Sequence, residues 1–192
     1  VADIFEDDPP PQPIAVALAE VIYQQSLLPT GGLTRRWFDR LLDARMADLE
    51  TSQPTSITEM ESYAENTASS LLYLYLELNG VRAGGMKEIP GLNDVGHAAS
   101  HIGKAAGMCT LLRSLAQPKT PQSVHTGGAP MEACILPSEV MRKHGLSYSV
   151  LVRGPKTEEE AYALAGSVFD VATVAKGHMD ASAQLLMAAR EK

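Results

Sequence analysis

The residues in this chain whose types and spacing could carry chemistry lie in a few short stretches. Asp94, His97 and His101 stand at i, i+3 and i+7. On a helix that spacing places one carboxylate and two imidazoles on one side, as in some zinc sites. Lys104 adds a positive charge to the same face. With one helix supplying all the ligands and no second cluster evident, a solvated or partner-facing surface is the stronger reading and a weak metal face the lesser one. Arg45 and Asp48 form a second group, falling within the apolar arc of segment 33–50, near Leu41 and Leu49. Charges on a core face must be paired or line a polar pocket, because burying either alone is costly. Together with Tyr63, Arg113 and Ser114 they are candidates for the remains of a substrate pocket. An internal ion-pair network that orients helices is the alternative, with Tyr63 as a core aromatic whose hydroxyl is satisfied.

Other constellations are weaker. Gly-x-Ser-x-Gly and a phosphate-cradling glycine loop are both missing from the sequence, and Gly84-Gly85 and Gly127-Gly128 punctuate loops. Cys109 and Cys134 sit in apolar contexts, are too few for a disulfide framework, and read as small core residues. Glu6-Asp7-Asp8 runs into Pro9, Pro10 and Pro11, which marks a solvated acidic turn at a helix end and not a metal motif.

Helices must position these groups. The 192 residues are 45% hydrophobic and 20% charged, enough for one domain of ordinary size with a real core. A formal charge of -7 without any basic run interleaved with aromatics argues against a nucleic-acid binder. The most apolar run, 69–78, falls far short of the roughly 20 residues that cross a bilayer. Val1 stands where a Met would open a full reading frame, so any targeting peptide is expected upstream.

Helical periodicity dominates and period-two alternation is scarce. Helices are expected over 13–26, 33–50, 57–79, 93–116 and 137–146, with a last one from Thr157 to Arg190. Ser56-x-x-Glu59 and Thr157-x-x-Glu160 are capping boxes, and Gly80 and Gly145 are stops. The stretch between Asn66 and Leu76 carries no charge, which predicts a central helix buried on all sides there. Segment 118–130, rich in Pro, Gly, Ser and Thr, reads as a connection. Residues 1–192 are thus a single all-α domain.

In segment 93–116, Val95, Ala98, Ile102, Ala105, Cys109 and Leu112 share one face, with Arg113 inside that arc. A second stripe, Gly96, Ser100, Gly103, Gly107, Thr110 and Ser114, consists of small residues. It serves either the close approach of another helix or a cavity.

The segment from Ile102 to Pro118 resembles the second aspartate-rich helix of squalene/phytoene synthases, whose order is Leu-Gly-x-Ala-x-Gln-x-Thr-Asn-Ile-Leu-Arg-Asp with another Asp four residues on. Gly103, Ala105, Leu111, Leu112 and Arg113 fit that frame. Ser114 and Pro118 take the places of the aspartates, Gly107 that of the Gln and Thr110 that of the Asn. Segments 13–18, 38–49, 63–70 and 134–137 are similar to further family stretches in the same order. The resemblance implies a helical bundle of the isoprenoid (trans-prenyl) synthase fold, of which this chain is the C-terminal part, with the N-terminal helices upstream.

In the synthases Mg2+ held by clustered carboxylates bridges the leaving diphosphate to the protein. Serine and proline cannot supply those ligands. Segments 63–77 and 97–105 resemble more strongly a non-synthase branch of the family, the mitochondrial assembly factors of respiratory complex I. That likeness implies a catalytically inactive scaffold on the matrix side of the mitochondrial inner membrane, without cofactor, metal or catalytic residue. Its implied partners are proteins of complex I or its assembly intermediates, with a peripheral contact to the inner membrane and an isoprenoid or lipid in a residual pocket. The alternative is an active prenyl-diphosphate transferase with an altered metal site.

Overall fold

A computed structural model describes residues 1–28, 31–49, 53–81, 92–115 and 135–191. Every regular element among them is helical. A short α1 (Ala2–Phe5) ends at Glu6, and the exposed turn that follows holds Asp7 at a positive φ of 61°, so the acidic run does terminate a helix. Gln12 caps α2 (Pro13–Ser26), its Oε1 accepting from the Ala15 amide at 2.8 Å. Pro13 takes the first helical position, where a missing N–H costs nothing.

Helix α3 spans Arg35–Ala47, shorter at both ends than the expected 33–50. The expected helix 57–79 forms as α4 (Ile57–Ala64), a π-helical turn (Glu65–Ser69) and α5 (Ser70–Leu78). Its cap works as read: the Glu59 amide donates to Ser56 Oγ at 3.2 Å, and the Glu59 carboxylate accepts from the Thr55 amide at 2.6 Å. That backbone hydrogen bond holds the Glu59 carboxyl below its ordinary range. Gly80 and Gly145 end their helices at φ of 78° and 64°, a region in which only glycine is unstrained.

Helix α6 spans Leu92–Ser114 and α7 spans Ser138–Lys143. A short α8 (Tyr148–Arg153), not anticipated from periodicity, precedes α9 (Glu158–Arg190). Thr157 Oγ1 accepts from the Glu160 amide at 3.2 Å and so opens α9 as its capping box requires.

Helix α6 packs along α9 on one side and against α4 and the π turn on the other. The main core joins Met60, Ala64, Met108, Leu136, Val171 and Ala175. A smaller one sets Ile22, Leu33 and Leu74 against Trp37 and Phe38.

Cys109 is exposed, because α6 presents it outward, and Cys134 lies outside the described residues. Helix α5 is not buried on all sides: Leu71 is 54% and Tyr75 64% exposed, so lack of charge did not mean lack of solvent. The apolar arc of α3 turns outward in its second half, where Leu42, Met46 and Leu49 are exposed and only Ala44 is buried. Arg45 and Asp48 share that outward arc and stand in solvent. Among the described residues no helix is long and apolar enough to cross a membrane.

Candidate functional site

A polar seam lies where the π turn meets α3, α5 and α6. On the π turn, Glu65 accepts from the Ser100 hydroxyl at 2.7 Å and from the Tyr73 hydroxyl at 2.8 Å. Arg40 of α3 lies 3.6 Å from the same carboxylate and donates to Asn66 Oδ1 through Nε and Nη2, at 3.0 and 2.8 Å. Burial alone would raise the Glu65 pKa. Hydrogen bonds from Ser100, Tyr73 and Ser69, with the charge of Lys104, outweigh it and leave the carboxyl lowered. Tyr73 is pushed up to about 12, first by burial and then by its bond and proximity to Glu65, against the opposing effects of Ser100 and Arg40.

Glu77 of α5 is a buried carboxylate with a full set of donors: the Thr34 amide at 2.8 Å, the Thr34 hydroxyl at 2.6 Å and the Trp37 indole at 3.0 Å. It fastens α3 to α5, and its charge is met by hydrogen bonds throughout.

The structure brings three of the sequence candidates together. Tyr63 of α4 donates its hydroxyl to Asp48 at 2.8 Å and accepts from Arg45, while Arg45 also reaches Asp48 at 3.3 Å. This triad sits at the surface, where it links the end of α3 to α4. Burial, then the Asp48 hydrogen bond and charge, push the Tyr63 phenol up to about 12 against the effect of Arg45. Arg113 and Ser114 do not join it: both are exposed at the end of α6, and the Ser114 hydroxyl donates to the Leu111 carbonyl at 2.7 Å.

On the α9 side of α6, the rings of His97 and His101 lie with centroids 5.0 Å apart, tilted by 36°. His101 Nδ1 lies 2.7 Å from Nδ1 of His178 on α9, and His178 Nε2 lies 2.6 Å from Glu61 Oε1 on α4. Asp94 begins the same face, half-buried. Glu61, Glu65, Ser100 and His178 were not anticipated from sequence. The i, i+4 pair Glu61 and Glu65 on one capped helix was the visible signal; His178 offered none.

The small-residue stripe serves close packing where it meets the π turn and α4. A Cβ on Gly107 would stand 2.7 Å from that of Ala64, and one on Gly103 would meet Ser69. Thr110 and Ser114, further along, are exposed. Residues 1–192 match the squalene/phytoene synthase family along their whole length. The chain belongs to that family.

Its all-α bundle is accordingly the isoprenoid-synthase type of fold. Among curated relatives, the rat NADH dehydrogenase (ubiquinone) complex I, assembly factor 6 is 36% identical over 179 residues, covering 93% of this chain and 45% of the relative. The human protein of that name is 34% identical over the same shares. A homolog from Drosophila melanogaster is 38% identical over 153 residues, 80% of this chain and 39% of its own. The chain thus spans less than half the length of these relatives. No solved structure matches it.

The synthase members of the family place a carboxylate where Ser114 stands. Ser114 offers a neutral hydroxyl in place of a carboxylate's negative charge, and Arg113 beside it is a cation itself. The second substituted position, Pro118, lies outside the described residues. Among the described residues, the Ser114 position therefore supplies no anionic ligand for a magnesium–diphosphate site.

Proposed function

We propose that this chain is a catalytically inactive member of the squalene/phytoene synthase family that acts as a helical scaffold in the assembly of respiratory complex I. On this reading it works in the mitochondrion, on the matrix side of the inner membrane, by holding protein partners of complex I or its assembly intermediates. The observation that carries the reading is the pairing of a whole-chain family match with Ser114 in the place of a metal-binding aspartate. The curated relatives, named as assembly factors, support the same direction.

Physical chemistry supplies further support. The polar groups of the seam are spent on each other: Glu65 on Ser100 and Tyr73, Arg40 on Asn66, Glu77 on Thr34 and Trp37. Such satisfied networks orient helices and need no substrate. Outside, Leu71, Tyr75 and Leu78 at i, i+4 and i+7 make an exposed apolar stripe on α5, a surface of the kind protein partners cover. Contact with the inner membrane is peripheral on this reading, and an isoprenoid or lipid in a residual pocket is compatible with it.

The test is direct. Purified protein is incubated with Mg2+ and farnesyl or geranylgeranyl diphosphate, and diphosphate release is followed. The scaffold reading expects none above the protein-free control; turnover comparable with a true synthase would instead establish a prenyl-diphosphate transferase with an altered metal site.

A further inference from the structure

The contact between His101 and His178 is the feature that neither the packing nor the scaffold role explains. Their Nδ1 atoms lie 2.7 Å apart across the boundary between α6 and α9, and Glu61 Oε1 lies 2.6 Å from the other nitrogen of His178. The described residues hold no group of three His, Cys, Asp or Glu side chains that could bind a metal ion, and the two nitrogens are aligned on each other. An ionised carboxylate can only accept, so His178 Nε2 carries a proton. When His178 is neutral, its Nδ1 is then an acceptor and His101 Nδ1 donates to it. When His178 is charged, it donates at both ends and His101 accepts. Either way one proton occupies the space between the rings. A second would turn two N–H groups against each other, on two positive rings with centroids 5.0 Å apart.

We propose that His101 and His178 are a one-proton latch: with no more than one ring charged it holds the last turns of α9, residues 179–190, onto α6, and with both charged it releases them. Position along the helices decides which part moves. Nearer its start α9 is held without the pair, because Asp170 bonds to Lys143 and His144, and Val171 and Ala175 lie in the main core. Helix α6 is also held independently: Ser100 donates to Glu65, and Gly103 approaches Ser69 too closely for a Cβ. Beyond His178 the anchors give out. Ser182 is buried there, but its hydroxyl donates to the Met179 carbonyl of α9 itself, and Lys176 pairs with Asp180 along the same helix. Met179, Leu186 and Met187 are exposed. His178, whose side chain is only 12% exposed, is thus the last polar tie from α9 to its neighbours among the described residues.

The surrounding charges suit one proton and oppose a second. The carboxylate in hydrogen-bond contact with the pair is that of Glu61 on α4. Glu65 on the π turn already accepts from Ser100 and Tyr73. On α6 itself Asp94 begins the same face, while His97 and Lys104 stand on either side of His101; on α9 Lys176 and Asp180 flank His178 and pair with each other. Burial, followed by the charges of His178, His97 and Lys104, lowers His101 below its ordinary 6.5 against the pull of Glu65. With the folded value below the unfolded one, the unfolded chain takes up the proton first. The contribution of the latch is therefore whole above about 6.5 and is lost as pH falls toward the folded value.

Hydrogen–deuterium exchange of the purified protein, corrected for the intrinsic pH dependence of exchange, tests the latch at about pH 7.5 and about pH 5.5. Peptides covering 179–190 are expected to exchange on the order of 10-fold faster at the lower pH, relative to those covering 163–175. His101→Asn keeps an amide near the Nδ1 position but cannot become charged, and it is expected to abolish that difference. Nitrogen-15 chemical shifts of the rings give a second reading on the wild-type protein alone: near neutral pH one Nδ1 of the pair carries a proton and the other does not. Exchange of 179–190 that changes with pH no more than that of 163–175 would overturn the proposal, as would an equal response in His101→Asn. So would two Nδ1 atoms in the same protonation state at neutral pH.

Discussion

Gly103 of α6 and Ser69 of the π turn stand so close that a Cβ on the glycine would lie 2.5 Å from the serine Cα and 2.7 Å from its Cβ. The obstacle includes backbone, so no side-chain rotation relieves it. Ser69 Oγ, in turn, donates to the Ser100 carbonyl at 3.1 Å, one helical turn before Gly103. Helix α6 and the π turn are thereby locked at a spacing that only glycine permits.

Gly103→Ala is therefore expected to destabilise the protein by about 1–3 kcal/mol through overpacking, more than the ~1 kcal/mol that alanine returns in helix propensity. Gly177, in α9, is the control: a Cβ there meets nothing within 4 Å. Gly177→Ala is expected to stabilise by about 0.4–1 kcal/mol. Urea denaturation of both variants measures the contrast, and two variants that shift in the same direction would contradict the close approach.

Glu77→Ala strips the acceptor from the Thr34 amide and the Trp37 indole in a buried setting. Leaving such donors unpaired costs about 1–3 kcal/mol each, so a loss of roughly 2–6 kcal/mol is expected. Trp37 is the only tryptophan of the chain, and its fluorescence reports the local change along with the global stability. An unchanged emission maximum would mean that the indole bond is not formed.

Alkaline titration reads the two networked phenols. Tyr63 and Tyr73 are both raised from 10.0 to about 12, so a late tyrosinate wave at 295 nm is expected in the folded protein and a single wave near ~10 in denaturant. A raised folded pKa stabilises the neutral form: the contribution is whole below the unfolded value and disappears as pH climbs through about 12. Tyr63→Phe should remove one phenol from the late wave. Were the late wave undiminished, the Tyr63 triad would not exist in solution.

On the acid side the sign reverses. Arg153, donating to Glu160, together with the Lys156 amide, lowers the Glu160 carboxyl from 4.5 to about 2. Asp170 is lowered as well, first by Lys143 and then by His144. A depressed folded pKa contributes stability above the unfolded value and loses it as pH falls toward the folded one. Melting temperature should therefore drop between pH 5 and pH 2, and Arg153→Gln should shrink that drop. An identical pH profile in the variant would remove Arg153 from the explanation.

Much of the helical framework was legible because it is written in local chemistry. Ser56 and Thr157 announce helix starts through spacing alone, and both hydroxyls accept as their boxes require. Gly80 and Gly145 announce stops because only glycine takes their φ cheaply. The family frame was equally readable, since it depends on the order of Gly103, Ala105, Leu111, Leu112 and Arg113. The π turn was not, because one extra residue in the hydrogen-bond ladder leaves no mark on residue types.

The site candidates divide along the same line. Arg45, Asp48 and Tyr63 do meet, yet on the surface: periodicity identified their arc without saying whether anything covered it. His97 and His101 were visible as a face, but their partner His178 comes from another helix, and Glu61 from a third. Contacts at that sequence separation depend on how helices cross, which local pattern does not encode.

The proposed scaffold role is tested by native-gel quantification of respiratory complexes in cells from which the protein has been removed and then restored. The expected result is loss of fully assembled complex I, with the other complexes unchanged and recovery on re-expression. Complex I at normal abundance in cells that lack the protein would contradict it.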